Sequence, residues 1–244
     1  MLLGTKRILG FEALLRWQHP QQGLISPFKF IEAAEDTGLL VSTGQWLILE
    51  ACKQLAAWKR VLATTEPLSV SANISAKQLA DSGFVSTLEA ILRQTGTDPS
   101  QFFVEITENV AAANPQLTAT ILSQLRQLRV GVILDDFGSG TSSLRGLCQL
   151  PLEALKIDRS LVAAMLLDRT ASDTVELIVL LAQRLKMKAI AEGIESAKQL
   201  DHLYALGCEV GQGYLLSQPV EAKAAELLLR AKGSVPQVKV AGAQ

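Results

Sequence analysis

The chain has 244 residues, 48% hydrophobic and 19% charged, a balance that suits a globular domain with a sizeable core. Its 23 basic and 24 acidic side chains leave a net charge of −1, which gives no support to a nucleic-acid polymer held through its phosphates. No apolar run approaches the ~18 residues of a membrane span, and Met1 to Gly10 lacks the apolar segment of a secretory signal, so direct membrane insertion is not expected.

In chain order, β-rich runs alternate with longer helical ones. A first strand is predicted over Ile8–Trp17, then helices over Pro27–Thr37 and Gly44–Val61. A second strand, Leu68–Ile74, precedes a helix over Phe84–Gln94. The third strand, Phe102–Thr107, precedes a helix over Pro115–Leu128, and the fourth is Gly131–Asp135. A fifth strand, Ala154–Ile157, leads into one long helix, Ser160–Leu185. The pattern ends with strand Lys188–Ala191, helix Ala197–Leu206, strand Glu209–Tyr214 and helix Ala222–Ala231. Runs such as Val132-Ile133-Leu134 are continuously apolar, as strands buried on both faces are. Such alternation implies parallel strands in a doubly wound sheet or a barrel. Residues 1–232 read as one domain, and 233–244 lose periodicity and read as a disordered tail or linker. Seven strands are counted where a closed barrel wants eight.

The acids fall at the strand ends. Glu12 lies in the first strand and Asn73 closes the second. Glu105 and Glu108 close the third, Asp135 and Asp136 the fourth. Lys156 and Asp158 belong to the fifth, Glu192 ends the sixth, and Gln212 sits in the last. In a parallel barrel the carboxyl ends of the strands converge on one rim, where active sites are built. Any one of these residues alone reads as a salt-bridge partner, a turn residue or a helix cap; seven strand ends in register read as a site. Glu195 is set apart as a cap for the following helix.

Five or six carboxylates brought together repel one another unless a cation sits among them. Oxygen donors without Cys or His select hard ions, Mg²⁺ or Mn²⁺, with Ca²⁺ as a competitor. Adjacent aspartates suit two ions, a pair that can activate water and stabilise the leaving oxygen of a phosphodiester. Cys52, Cys148 and Cys208 are too widely spaced for a zinc site and odd in number, and reduced thiols point to the cytoplasm. No Gly-x-Ser-x-Gly is present, and Asp136-Phe137-Gly138 lacks the other protein-kinase signatures.

Phe11-Glu12-Ala13-Leu14-Leu15-Arg16-Trp17 resembles the signature of EAL-type cyclic di-GMP phosphodiesterases. The resemblance continues through Asn73-Ile74-Ser75, Glu105-Ile106-Thr107-Glu108, Asp135-Asp136-Phe137-Gly138-Ser139-Gly140, Leu155-Lys156-Ile157-Asp158-Arg159-Ser160, Ala191-Glu192-Gly193-Ile194-Glu195 and Gly211-Gln212-Gly213-Tyr214. It covers roughly residues 4–231 in unbroken order. The resemblance implies a TIM-like (β/α)8 barrel. It implies that Glu12, Asn73, Glu105 and Asp135 hold one metal, and that Asp135 bridges to a second held by Asp136 and Glu192. It implies too that Glu192, with Lys156 beside the attacking water, serves as or assists the general base. Arg16 and Gln212 contact the bound dinucleotide, Asp158 supports the second-metal side, and Glu108 braces the loop after Asp136. The implied reaction opens cyclic di-GMP to linear pGpG with Mg²⁺ or Mn²⁺, and Ca²⁺ is expected to inhibit. The resemblance also leaves open a homodimer and regulation by sensory domains of a longer protein.

Two departures stand out. Thr141 replaces the Tyr usual in the loop after Asp136, which bears on how firmly that loop, and a dimer contact through it, is held. A strand that pairs beside the Glu-Ala-Leu strand in relatives is missing, so the chain is either truncated or fills that edge with another segment. The alternatives carried forward are a catalytically silent cyclic di-GMP receptor, a protein-interaction module on the same fold, and a barrel enzyme acting on another phosphodiester or sugar phosphate.

Overall fold

A computed structural model describes residues 1–62, 67–139, 144–147 and 149–232. The predicted tail 233–244, Gly140, Thr141 and Cys148 lie outside the described residues. The elements, in order, are β1 (Gly10–Ala13), the antiparallel pair β2 (Trp17–His19) and β3 (Gly23–Ile25), α1 (Ile31–Asp36), α2 (Leu39–Leu62) and β4 (Ser69–Asn73). Then come α3 (Ala76–Leu79), α4 (Phe84–Thr95), β5 (Phe102–Thr107), α5 (Glu108–Ala113), α6 (Pro115–Gln127), β6 (Gly131–Phe137), α7 (Leu144–Leu147) and β7 (Ala154–Ile157). The chain closes with α8 (Arg159–Ala164), α9 (Arg169–Arg184), β8 (Lys188–Ala191), α10 (Ala197–Ala205), β9 (Val210–Gly211) and α11 (Ala222–Lys232).

Seven strands form one parallel sheet in the order β1-β4-β5-β6-β7-β8-β9. The order never reverses, which makes it a barrel sheet and not a doubly wound one. Among the described residues no backbone ladder joins β9 to β1, so the sheet curls into an incomplete TIM-like barrel with a seam. Beside that seam, Met1–Leu3 runs antiparallel to β9. The Gly211 N–H donates to the Met1 carbonyl at 2.9 Å and the Leu3 N–H to Glu209 at 2.8 Å. This short segment covers the outer edge of β9, while among the described residues β1 has a strand neighbour on one side only.

Period-two alternation sorts the strand residues. Val104, Ile106, Val132, Leu134, Leu155 and Ile157 are buried in the main hydrophobic core, while Glu105, Asp135 and Lys156 take the opposite face, into the barrel. The helices bury complementary stripes: Leu88, Ile91 and Leu92 on α4, and Val175, Ile178, Val179 and Ala182 on α9. On α2, the buried Trp58 packs its ring against Phe11 of β1, with centroids 4.9 Å apart. Trp17 and Trp46, by contrast, are exposed. Cys52 and Cys208 are free and buried. No helix among the described residues is long and apolar enough to cross a membrane.

Several predicted elements are revised. The single helix over Ser160–Leu185 is two, α8 and α9, because two aspartates cap in quick succession. Asp158 accepts from the Ser160 N–H and Asp168 from the Thr170 N–H, each starting a new helix. The strand over Ile8–Trp17 is cut to Gly10–Ala13, and Trp17 turns into the β2–β3 hairpin. The cap of α10 is Ser196, in a reciprocal box with Gln199, and not Glu195.

Candidate metal and catalytic centre

Lys156 stands at the middle of the rim. Its Nζ lies 2.6 Å from Glu105 Oε2, 2.7 Å from Glu192 Oε1, 3.0 Å from Glu12 Oε2 and 3.6 Å from Asp135 Oδ1. β7 is buried along its whole length, so the long stem crosses the barrel interior and only the ammonium reaches the acids. Asn73 donates from Nδ2 to Glu12 Oε1 at 2.7 Å, which leaves its own Oδ1 free to serve as a ligand. Gln212, the residue after β9, donates from one nitrogen to Glu12 Oε2 at 2.8 Å and to Glu192 Oε1 at 2.7 Å. That amide ties the first strand of the sheet to the last across the seam. Its aim depends on the next residue: Gly213 lies against the Ile194 backbone so closely that a Cβ there would overlap it.

Adjacent residues of a regular strand face opposite sides, yet Asp135 and Asp136 serve one site. The register between β6 and β7 slips between Leu134 and Phe137, and Asp136 adopts a left-handed backbone with φ of 55°. This irregularity re-aims the second carboxylate, a known use of a bulge at a barrel rim. As a result one oxygen each of Asp135, Asp136 and Glu192 lie within 4.8 Å of one another. Beyond the bulge, Gly138 takes φ of 95°, and a Cβ there would meet Leu161 at 2.7 Å and Ile178 at 3.0 Å. The Gly138 N–H points at Glu108 Oε2, 3.4 Å away.

The electrostatics follow from burial. Burial pushes the Glu105 carboxyl up to about 8; Lys156 opposes the rise, while Glu12 and Asp135 reinforce it. Glu192 is raised by burial to about 7 against the pull of Lys156. Asp135 rises for the same reason, and Asp136 rises through burial and its neighbours Asp135 and Asp158. Glu12 goes the other way. Burial works to raise it, but Lys156 and hydrogen bonds from Gln212 and Asn73 together hold it below its ordinary 4.5. Burial alone would lower the Lys156 ammonium, but Glu105, Glu12, Glu192 and Asp135 carry it well above 10.5. A buried cluster of acids with one lysine has an unmet demand for positive charge. An oxygen-only donor set of this kind can coordinate a hard divalent metal ion.

The family model of the EAL domain matches residues 1–219. The chain belongs to the EAL domain family. This EAL domain is 40% identical over 216 residues to the "Bifunctional diguanylate cyclase/cyclic di-GMP phosphodiesterase MucR" of Pseudomonas aeruginosa, covering 88% of this chain and 31% of that protein. It is 39% identical over 219 residues to the "Cyclic di-GMP phosphodiesterase PdeR" of Escherichia coli, covering 90% and 33%. Among solved structures it matches "PaMucR Phosphodiesterase, c-di-GMP complex" with a TM-score of 0.88 at 39% identity, over 92% of this chain and 90% of the other. The FimX EAL domain from Pseudomonas aeruginosa bound to c-di-GMP matches with a TM-score of 0.78 at 25% identity, over 85% and 82% of the two chains. The EAL domain spans about a third of the length of these curated relatives.

Of the residues singled out from the sequence, Glu12, Asn73, Glu105, Asp135, Lys156, Glu192 and Gln212 form one hydrogen-bonded and ion-paired network. Asp136 joins it through the bulge. Asp158 is engaged as the cap of α8, with the Ser160 hydroxyl also bonded to its carboxylate. Arg16 stands outside the network, its guanidinium donating to the Leu15 carbonyl at 2.8 Å. Sequence reasoning misses one contributor. Gln199, buried, accepts from the Glu195 and Ser196 N–H groups and donates to the Val162 carbonyl, fastening the loop after Glu192 to α8. Its three-residue spacing from Ser196, the pattern of a capping box, is the available signal.

Proposed function

We propose that this EAL domain hydrolyses one phosphodiester bond of cyclic di-GMP, giving linear pGpG, with two divalent ions, Mg²⁺ or Mn²⁺. The observation that carries the reading is the rim itself, where oxygens of Asp135, Asp136 and Glu192 converge next to Glu12, Asn73 and Glu105. In this reading Glu12, Asn73, Glu105 and Asp135 would hold one ion, and Asp135, Asp136 and Glu192 would hold the other. When bound, such ions make water more acidic and offset the charge of the phosphodiester oxygens.

The chain's own groups do the rest. Glu192, its carboxylate fixed at the rim between Lys156 and Gln212, is the group that takes a proton from the attacking water. Lys156, 2.7 Å away, keeps that carboxylate turned into the site. The water oxygen forms a bond to phosphorus and the bond to the 3′ oxygen breaks. One water proton passes to Glu192 and from there to solvent, the other stays with the new phosphate oxygen, and solvent water protonates the departing 3′ oxygen. Gln212 holds the Glu12 and Glu192 carboxylates in common orientation beside the dinucleotide, Arg16 offers its charge to the substrate phosphate, and Asp158 supports the second-ion side. Glu108 braces the backbone after Asp136. A homodimer, a cytoplasmic location and control by other domains of a longer protein complete the proposal.

The test is direct. Incubation with cyclic di-GMP and Mg²⁺ or Mn²⁺, followed by chromatography, should yield pGpG, with Glu12→Ala and Glu192→Ala inactive. Binding without turnover by the unmutated chain would sink the enzyme reading and leave a receptor. No binding at all would favour an interaction module. Calcium should inhibit, because its looser coordination suits the chemistry poorly; full turnover in Ca²⁺ alone would contradict the metal assignment.

A further inference from the structure

The two ends of the barrel differ in the charge they carry. Acids collect at the rim, where the strands finish. At the opposite end the strands begin and the outer helices finish, and there bases stand in the turns. Lys6 and Arg7 lie ahead of β1, Arg129 ahead of β6, and Lys186 and Lys188 at the start of β8. Lys59 and Arg60 close α2, Arg126 closes α6 and Arg184 closes α9. All of these side chains belong to exposed residues. Among the described residues, the acids in the same turns are Asp98, Glu153 and Glu209, ahead of β5, β7 and β9, and Asp98 lies 3.9 Å from Arg129.

Helix dipoles account for part of this pattern. A cation in the last turn faces the unpaired carbonyls, and Lys59, Arg60, Arg126 and Arg184 meet that preference. Arg129 and Lys186 are additional, and they stand where the backbone favours another residue. The turns after α4, α6, α9 and α10 close alike, each with an N–H donating to a carbonyl five residues back. The pairs are Thr97 to Leu92, Val130 to Leu125, Met187 to Ala182 and Cys208 to Leu203, at 2.8–3.0 Å. Inside each closure one residue is left-handed. In two turns it is Gly96 or Gly207, with φ of 66° and 84°; in the other two it is Arg129 or Lys186, with φ of 64° and 59°. Glycine is the least strained residue at such a position. Lys6, with φ of 56°, repeats the choice ahead of β1. Three cations are thus held at one end of the barrel against local backbone preference.

We propose that this basic end docks on the anionic headgroup layer of a lipid membrane, by charge and without insertion. The cations are spread round the barrel end, from β1 through β6 to β8, instead of lining a cleft. A broad layer of anionic headgroups meets all of them together, whereas a peptide or a nucleic-acid strand needs a groove to follow. The acidic rim is repelled by the same surface, which turns it towards solution. Docking in this way leaves the site open to a soluble substrate and does not depend on what that substrate is.

Sedimentation with vesicles tests this on the unmutated chain. It should bind phosphatidylcholine vesicles that contain phosphatidylglycerol, ignore phosphatidylcholine alone, and be released as salt rises. The triple variant Arg129→Gly, Lys186→Gly, Lys188→Gln should bind about a hundred-fold more weakly, since each basic residue near an anionic surface contributes roughly five-fold. Its melting temperature should hold or rise, because glycine relieves two left-handed positions. A melting temperature that falls while binding is kept would assign these residues to stability and overturn the proposal. Arg169→Gln, Lys198→Gln and Lys223→Gln together remove cations from the rim ends of α9, α10 and α11 and should leave binding nearly unchanged. No binding to the mixed vesicles, or an equal loss in both triple variants, would overturn the proposal. So would tighter binding to duplex DNA than to the mixed vesicles. Should the first variant not fold, Lys186→Gly alone should weaken binding about five-fold; unchanged binding there counts against the proposal in the same way.

Discussion

β6 and β1 both deliver carboxylates to the same rim, and they hold them by different means. β6 is central, paired with β5 and β7, and its two aspartates are aimed by the backbone through the register slip and the left-handed Asp136. Among the described residues β1 is paired with β4 alone, and Glu12 is aimed by side chains: Asn73, Lys156 and Gln212. A ligand set by the main chain survives the loss of a neighbouring side chain. A ligand set by side chains is only as well placed as they are.

The largest effect should come from the central strand. Asp135→Asn is expected to lower kcat by about a thousand-fold or more, as losses of charge at metal-assisted centres do. Its melting temperature in chelator should not fall, because Asn keeps the Oδ1 that accepts from the Asp136 N–H at 2.9 Å. A large drop in stability would show that the bulge depends on the carboxylate and would break the contrast. Gln212→Leu probes the edge strand. Turnover and Mn²⁺ affinity should fall by about 10–100-fold, the usual cost of losing a group that orients metal ligands. Unchanged values would mean that Glu12 is held by its own strand after all.

The smallest effect sharpens the comparison through pH. A carboxyl whose folded value exceeds its unfolded value binds more protons when folded, between the two values, so stability falls as pH rises through that window. For Glu105 the window runs from 4.5 to about 8 and for Glu192 from 4.5 to about 7. Glu12, lowered, contributes stability that is already fully present above 4.5 and adds no slope here. Thermal melts in chelator should therefore drop by several degrees from pH 5 to pH 8, and Mg²⁺ should flatten the slope. A melting temperature that climbs over this range would contradict these assignments.

Much of this is legible because strands have a period of two. Glu105 and Lys156 alternate with fully buried apolar neighbours, and Asp135 follows buried Leu134, so the sequence alone separates barrel-facing from helix-facing positions along most of each strand. The approach of Asp136 to Asp135 is not, since a register slip is a property of two strands and not of one. Nor is the split between α8 and α9: Asp158 and Asp168 can each act as ligand, surface acid or cap, and only the backbone decides. The role of Gln212 as a tie across the seam is hidden in the sequence because its partners, Glu12 and Glu192, are 200 and 20 residues away. Arg16 is a different case, its guanidinium resting on the Leu15 carbonyl, because a motif position does not fix where a flexible cation lies.

The contact between Trp58 and Phe11 has a practical consequence. Phe11 immediately precedes Glu12, and Trp58 is the buried one of three tryptophans, the other two being exposed. In a Trp17→Phe, Trp46→Phe background the remaining indole becomes a spectroscopic witness to how β1 is seated. Its emission should stay blue while Phe11 covers it and shift red when the edge strand lifts away. The sheet edge on which Glu12 rides thus carries its own optical probe, readable without substrate or product.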